Sequence, residues 1–283
     1  MGSLGKIRNA RSSRSTATAA LLVCVACSQA PLQAPRAPAR DGGTLGVLSY
    51  NLNYGISGDA ATLDAIAEVP SDLVLLQETT PEWEQALRAR LGEEFQYMMF
   101  RHCCVAGGLG VLSKYPVREL EYIEPPEGGW FPGWHLSVQS PLGELQVLNV
   151  HLRPQLGDSG ANLGGVLSGM VTTPPIRKEQ IQLYASHLQA GTPALIAGDF
   201  NENEQGGAVS WLEAHGLHSA LPDFSREDTW SWQTSLGRLS RRFDHIVTSR
   251  ELRALSARVV EAGHSDHRPV FALLELDERA PGR

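Results

Sequence analysis

From Thr44 onward the chain alternates short apolar runs with stretches whose apolar residues recur at helical spacing. TLGVLSY (44–50) and SDLVLLQE (71–78) read as buried strands, and DAATLDAIAEV between them reads as a helix. TPEWEQALRARLG predicts a second helix, with Thr80 as N-cap, Pro81 at the first helical position and Gly92 as the stop. FQYMMF, GLGVLSKYPV, GWHLSVQS and ELQVLNVHL follow in succession with turns such as SPLGE, so the middle of the chain predicts antiparallel pairing. A helix over about 176–190, the strand PALIAGD, a helix over about 206–215 and the strands RRFDHIVTS, LRALSARVV and RPVFALLEL complete the pattern. One sheet covered by so few helices cannot use all these strands. Two sheets packed face to face, with helices on their outer faces, use them all. The stretch 154–175, PQLGDSGANLGGVLSGMVTTPP, is expected to be a Gly-rich loop, long enough to have a function.

The strands share a second regularity, which is that their tips are polar. TLGVLSY runs into Asn51 and Asn53, DLVLLQ into Glu78, LQVLNV into His151, and PALIAG into Asp199 and Asn201. Asp244 opens one late strand, and His264, Asp266 and His267 precede the last. Polar groups at strand tips collect at one edge of a sheet, where separate segments can line one pocket. Each has a structural explanation when taken alone: Asp199 can cap a turn and Asn51 can satisfy loop backbone. Glu78 resists that explanation, because Thr80 already caps the next helix and a carboxylate closing an apolar strand needs a cation or donors. No GxxxxGK[ST], GxGxxG or GxSxG motif is present. Glu78, Asp266 and Asn53 are hard oxygen and amide ligands that suit Mg²⁺ or Mn²⁺, and a metal beside His and Asp points to hydrolysis of a phosphate ester.

Composition changes this picture in two ways. The 283 residues suit one large α/β domain over 44–283. The N-terminus carries Lys6, Arg8, Arg11 and Arg14, then the apolar stretch TATAALLVCVAC and the Pro/Ala linker 28–43. That order predicts a signal peptide over 1–27, of lipoprotein type with Cys27 acylated, and so an exported periplasmic or cell-surface protein held to a membrane. Without that leader 20 basic residues face 31 acidic ones, a net of −11. Such a balance disfavours a broad nucleic-acid-binding face without forbidding a small phosphorylated substrate. Cys103 and Cys104 are adjacent, can pair only through a strained small ring, and are expected as buried thiols.

The series SYNLNYG, LLQE, GLGVLSKYP, LNVHL, AGDFN, RRFDHI and GHSDHRPV resembles the endonuclease/exonuclease/phosphatase superfamily, the group of DNase I-like nucleases, neutral sphingomyelinases and inositol-polyphosphate phosphatases. The resemblance covers about 44–276 and implies a four-layer α/β/β/α sandwich of two mixed sheets. It makes Glu78 the principal Mg²⁺ ligand and places Asn51 beside metal and phosphate. Asn53 stands where the family is often acidic. Asp199 is implied to orient or deprotonate the attacking water, and the Asn201 amide to hold a phosphoryl oxygen. His151 and His267 are implied to donate to phosphate oxygens, Asp244 to orient His267, and Asp266 to help hold the metal or the water.

Substrate choice lies in loops. PPEGGWFPGWH (125–135) gathers Trp130, Phe131 and Trp134; Trp130 is a candidate for substrate contact, while Trp134, at a strand start, is expected in the core. Arg177 is a candidate phosphate contact. Three readings follow: a metal-dependent phosphodiesterase or phosphatase, an exported nuclease, and a catalytically silent binding lipoprotein with the same fold.

Overall fold

The computed structural model describes residues 30–39, 43–156, 163–234, 237–277 and 279. The expected signal peptide with Cys27 and residues 157–162 of the Gly-rich stretch lie outside the described residues. In chain order the elements begin β1 (Leu45–Asn51), α1 (Ala60–Ala67), β2 (Leu73–Gln77), α2 (Pro81–Leu91), β3 (Tyr97–Arg101), β4 (Leu109–Ser113), β5 (Val117–Ile123), β6 (Gly133–Ser140), β7 (Gly143–His151) and α3 (Leu163–Ala185). They continue with β8 (Ala194–Asp199), α4 (Gly207–Ala214), β9 (Leu217–Ser219), α5 (Leu221–Phe224), β10 (Trp230–Thr234), β11 (Gly237–Arg241), β12 (Asp244–Ser249), β13 (Leu252–Val259) and β14 (Val270–Leu276).

Two six-stranded sheets form, in the orders β13-β14-β1-β2-β4-β3 and β5-β6-β7-β8-β12-β9, with β10-β11 as a separate hairpin. Each large sheet has one parallel pair at its centre, β1 with β2 and β7 with β8, and every other pairing is antiparallel. Helices α1 and α2 bury Leu63, Ile66, Trp83 and Leu87 on the outer face of the first sheet. Helices α3 and α4 bury Ile181, Tyr184, Val209 and Leu212 on the outer face of the second. The result is the α/β/β/α sandwich, and all three apolar layers follow from strand parity. Because successive side chains alternate faces, Leu45 and Val47 of β1, Leu73 and Leu75 of β2, Leu145 and Val147 of β7, and Leu195 and Ala197 of β8 fill the space between the sheets. Their even- or odd-numbered neighbours, such as Leu48, Val74, Leu148 and Ile196, meet the helices.

Near the C-terminal ends of the parallel strands this middle layer turns polar while staying buried. Gln77 Nε2 of the first sheet donates to Asn149 Oδ1 of the second at 2.8 Å, and Asn149 Nδ2 donates to the Leu76 and Gly110 carbonyls at 3.1 and 2.9 Å. This amide pair fastens the sheets together directly beneath the strand tips.

Helix α2 begins and ends as expected, with Thr80 Oγ1 accepting from Trp83 N and Gly92 as the C-cap. Four features depart from the sequence reading. The stretch expected as a loop over 154–175 is helical from Leu163, through Pro174 and Pro175. Proline removes the backbone donors that would serve the Met170 and Val171 carbonyls, and in the turn just before it Thr172 and Thr173 donate side-chain hydroxyls to the Ser168 and Gly169 carbonyls. Part of the expected linker is docked: Gln33 N and Arg36 N donate to the Asp223 and Leu255 carbonyls, and Ala39 N to Glu275 Oε2. Cys103 and Cys104 are joined in a disulfide and Cys104 is exposed, because left-handed backbone at Cys104 and Val105 turns the chain where extended backbone would separate the thiols. Hairpin β10–β11, with the short β9 and α5, had no separate place in the sequence reading.

Asn149→Ala is expected to destabilise the protein by about 2–3 kcal/mol, since it leaves the buried Gln77 amide with only the longer bond to the Leu75 carbonyl and takes a donor from two carbonyls. Urea unfolding should show a lower midpoint with an unchanged slope; an unmoved midpoint would show that the sheets are held by apolar packing alone.

Candidate active site

The pairings explain why the polar tips meet. Strands β1, β2, β7 and β8 all end at the same edge of the sandwich, and the antiparallel β12 and β14 begin there. In the second sheet His151, Asp199 and Asp244 are direct cross-strand neighbours. They continue the same inward-facing series as Val147, Ala197 and Ile246, so the residues at the tips are the polar end of the middle core layer.

Asn51, fully buried, joins the two sheets: its Nδ2 donates to Glu78 Oε1 and to Asp199 Oδ2, both at 3.1 Å. Glu78 follows β2 with φ 58°, a left-handed conformation uncommon outside glycine. Parity would send its side chain toward α2, and the backbone turn brings the carboxylate to Asn51 instead. Its Oε2 accepts from Tyr54 N at 3.1 Å. Burial, reinforced by the nearby Asp266 carboxylate and opposed by the Asn51 and Tyr54 donors, raises the Glu78 pKa above the ordinary carboxylate range.

Asp199 Oδ1 accepts from Asn201 N at 2.8 Å, and its Oδ2 lies 3.5 Å from both His151 Nε2 and His267 Nε2. Burial, with Asp244 adding to it and His267 opposing it, pushes Asp199 up to about 7. His267 Nδ1 donates to Asp244 Oδ2 at 2.9 Å, and that oxygen also accepts from Thr229 Oγ1 at 2.6 Å. Burial alone would lower His267, but the Asp244 and Asp199 carboxylates outweigh it and raise it to about 10. His267 is therefore an imidazolium whose remaining N–H points at the cleft. His151 is its opposite: burial and the neighbouring His267 charge push it down to about 3. Its Nδ1 faces the Ala106 carbonyl at 3.2 Å. A carbonyl only accepts, so Nδ1 carries the proton and Nε2 presents a lone pair to the cleft. The expected donor role of His151 thus becomes an acceptor role in its neutral state.

The remaining sequence candidates divide. Asn53 Nδ2 donates to Asp266 Oδ1 at 3.0 Å and Trp230 Nε1 to Asp266 Oδ2 at 3.1 Å, so Asn53 and Asp266 form the outer wall of the cleft. Asn201 Nδ2 donates one hydrogen to the Leu152 carbonyl and keeps the other. Trp130, 37% exposed, stacks under the Arg153 guanidinium at 3.5 Å, and its neighbour Phe131 packs on His151 at 4.3 Å, so Trp130 belongs to the rim. Trp134 is buried as expected. Arg177, expected to contact phosphate, is instead a buried structural residue. Only 2% exposed, it pairs with Glu202 Oε2 at 2.9 Å and donates to Thr173 Oγ1. Glu202 in turn accepts from Ala208 N and Val209 N, so Arg177 ties α3 to the start of α4 and has no free face for substrate. His264 turns away to Asp59. The sequence reading missed Thr229, which orients Asp244, and Ser265, whose hydroxyl donates to the Asn51 carbonyl and accepts from His267 N. No spacing rule distinguishes such hydroxyls from ordinary turn residues.

The model described as "Endonuclease/Exonuclease/phosphatase family" matches residues 48–267. The chain belongs to this family. Family members are hydrolases of phosphoesters and typically depend on a divalent metal. Solved structures share the fold at low identity. The endonuclease/exonuclease/phosphatase of Beutenbergia cavernae DSM 12333 is 19% identical at a TM-score of 0.60, over 82% of this chain and 72% of that one. That of Bacteroides vulgatus is 16% identical at 0.60, over 83% and 100%. D. rerio TDP2, solved in complex with a single-strand DNA product, is 17% identical at 0.58, over 82% and 98%. No curated protein matches the chain.

The residues fit the family's divalent cation. Glu78 and Asp266 bring two carboxylates to one side of the cleft, where amide and indole donors meet them and their mutual repulsion contributes to the raised Glu78. Asp199, Asp244 and His267 also bring one ligand atom each to within 4.8 Å of one another. There, however, Asp244 and the His267 Nδ1 proton already satisfy each other, so that trio suits proton handling better than metal binding. Against a phosphoester substrate, kcat/KM should rise with pH through about 7 as Asp199 ionises and fall toward about 10 as His267 loses its proton. Asp244→Asn removes the principal partner of the imidazolium, so the falling limb should move down toward the ordinary imidazole value of about 6.5. A falling limb that stays in place would detach His267 from it.

Proposed function

We propose that the protein is a Mg²⁺-dependent phosphodiesterase or phosphatase in which Asp199 activates the water that attacks phosphorus. The observation that carries this reading is the meeting of Glu78 and Asp199, from different sheets, on one Asn51 amide. When bound, the cation neutralises phosphate charge on the Glu78 and Asp266 side; Mn²⁺ suits the same hard oxygens. The protein's own residues supply the rest. Asp199, deprotonated at working pH, orients the water and accepts its proton in the in-line displacement, and the His151 Nε2 lone pair offers that water a second acceptor. His267 directs its Nε2 proton at the phosphoryl oxygens that gain charge, with Asp244 and Thr229 fixing the ring. The free Asn201 N–H holds another of those oxygens, and Asn53 keeps Asp266 turned inward. Trp130 supplies an apolar face for the group esterified to phosphate.

The basic leader, apolar stretch and small residues before Cys27 support export and attachment to a membrane. Among the described residues no helix is long and apolar enough to cross a membrane. The acidic balance supports a compact phosphoester over a long nucleic acid as substrate. Hydrolysis of plasmid DNA, a phosphocholine lipid and bis(p-nitrophenyl) phosphate, each with and without Mg²⁺, tests the assignment. At least one should be cleaved by the wild type only with metal, and inactivity on all three would favour a silent binding protein. Asp199→Ala should lower kcat by about 10²–10⁴-fold with the melting temperature retained; full turnover by that variant would place the base elsewhere. Trp130→Ala should raise KM several-fold with kcat nearly unchanged, and a wild-type KM would remove Trp130 from the substrate surface.

A further inference from the structure

The loop 102–107 contributes nothing to the proposed chemistry directly, yet it touches His151 in two independent ways. The Ala106 carbonyl holds His151 Nδ1. On the other side Gly107 lies between Cys104 Sγ and Phe131, the ring that lies against His151 at 4.3 Å. A Cβ at Gly107 would fall 2.8 Å from Cys104 Sγ and 2.9 Å from Phe131 Cδ1, so glycine is what allows the sulfur, the ring and the chain to close together.

The backbone of this loop is not at ease. Cys104 has φ 38° and Val105 φ 61°, two consecutive left-handed residues, the second of them β-branched. For such a residue the conformation is a true outlier that persists only where surroundings impose it. Packing does not impose it, because Val105 is 74% exposed. Within the turn the visible constraints are the hydrogen bond from Gly107 N to the Cys103 carbonyl and the Cys103–Cys104 disulfide, and from outside it the contact of the Ala106 carbonyl with His151 Nδ1. The loop ends are fixed as well, by His102 on Glu84 and by Thr79 N on the Gly108 carbonyl, so a relaxation of the turn has to be absorbed at 103–106.

We propose that the Cys103–Cys104 disulfide is a redox-controlled positioning element: closed, it holds the Ala106 carbonyl on His151 Nδ1 and so fixes the tautomer that leaves Nε2 as an acceptor in the cleft. A dithiol reductant opens it by ordinary exchange. One reductant thiolate attacks the exposed Cys104 sulfur, the Sγ–Sγ electron pair leaves on Cys103, and the second reductant thiol displaces the mixed disulfide. The products are two protein thiols and one cyclic oxidised reductant, with two electrons transferred. With the ring open, the left-handed turn loses its covalent constraint, Ala106 moves off His151, and the ring is free to carry its proton on Nε2. The active-site role of His151 in this scheme rests on the proposed phosphoesterase function; the coupling of the disulfide to the His151 tautomer does not.

The test compares the full chain before and after dithiothreitol treatment, with Cys103→Ser/Cys104→Ser as the permanently open form. Thiol labelling of the peptide that carries both cysteines should show a disulfide before treatment and two thiols after it. Histidine ¹⁵N correlation spectra should show His151 protonated on Nδ1 in the oxidised protein, and shifted toward the Nε2–H form or toward exchange in the reduced protein and the double variant. With bis(p-nitrophenyl) phosphate and Mg²⁺, kcat should fall about tenfold to a hundredfold on reduction, the scale expected of a misplaced group. It should recover on reoxidation and ignore dithiothreitol in the double variant. Identical His151 spectra in the oxidised and reduced protein would overturn the proposal, as would free thiols on the Cys103–Cys104 peptide of the untreated chain or a reductant effect that survives in the double variant. Should the double variant fail to fold, the oxidised and reduced wild-type spectra decide alone. A tautomer shift without turnover of any ester would retain the switch and reject the enzyme reading.

Discussion

The site depends on one side-chain amide. Asn51 Nδ2 has two hydrogens and gives one to Glu78 and the other to Asp199. These carboxylates belong to different sheets, lie at the tips of different strands, and in a buried setting would repel each other and resist ionising. A neutral amide can sit between two anions, satisfy both and add no charge. A carboxylate at this position would introduce a third anion, and an aliphatic residue would take one donor from each acid, leaving Glu78 with Tyr54 N and Asp199 with Asn201 N. Around this contact the cleft divides: Glu78 with Asp266 on one flank, and Asp199 with His151, His267 and Asp244 on the other.

The fold makes that meeting possible by repeating one device. Each large sheet has a central parallel pair, so four strands end at one edge of the sandwich, and antiparallel neighbours return to the same edge. The side-chain series that fills the space between the sheets with Leu, Val and Ala at one end continues as Gln77, Asn149, Asn51, His151 and Asp199 at the other. Burying polar groups there is costly unless each is bonded. The Gln77 Nε2–Asn149 contact and the Thr229 and Ser265 hydroxyls supply much of that bonding, while Gln77 Oε1 has no partner among the described residues. They hold the neighbouring groups of the cleft in place, and the opposite protonation preferences of His267 and His151 arise within the same few ångströms because the Asp244 and Asp199 carboxylates outweigh burial at His267, whereas burial and the His267 charge prevail at His151.

Much of this was legible in the sequence. Period-two alternation gave most of the strands, the Thr80, Pro81 and Gly92 signals bounded α2, and polar tips on apolar runs named nearly every residue of the cleft. What was hidden depended on contacts or backbone that no local pattern encodes. Arg177 reads as a surface charge in RKEQ, yet its partner Glu202 lies 25 positions away and buries it. Pro174 and Pro175 argue for a loop, whereas the helix runs through them. The approach of Glu78 to Asn51 relies on a left-handed residue just past the strand, and the joining of Cys103 to Cys104 on a turn that an extended reading excludes. Thr229 and Ser265 act only through partners fixed by the tertiary structure.

The Asn51 amide divides the proposed labour of the cleft, with metal on the Glu78 flank and proton transfer on the Asp199 flank. Calorimetric titration of Mn²⁺ into the wild type, Glu78→Gln and Asp199→Asn tests it without any assumption about substrate. The wild type should show one principal site, Glu78→Gln an affinity weakened by about tenfold or more, and Asp199→Asn a near-wild-type affinity. Equal loss in both variants, or loss only in Asp199→Asn, would contradict it.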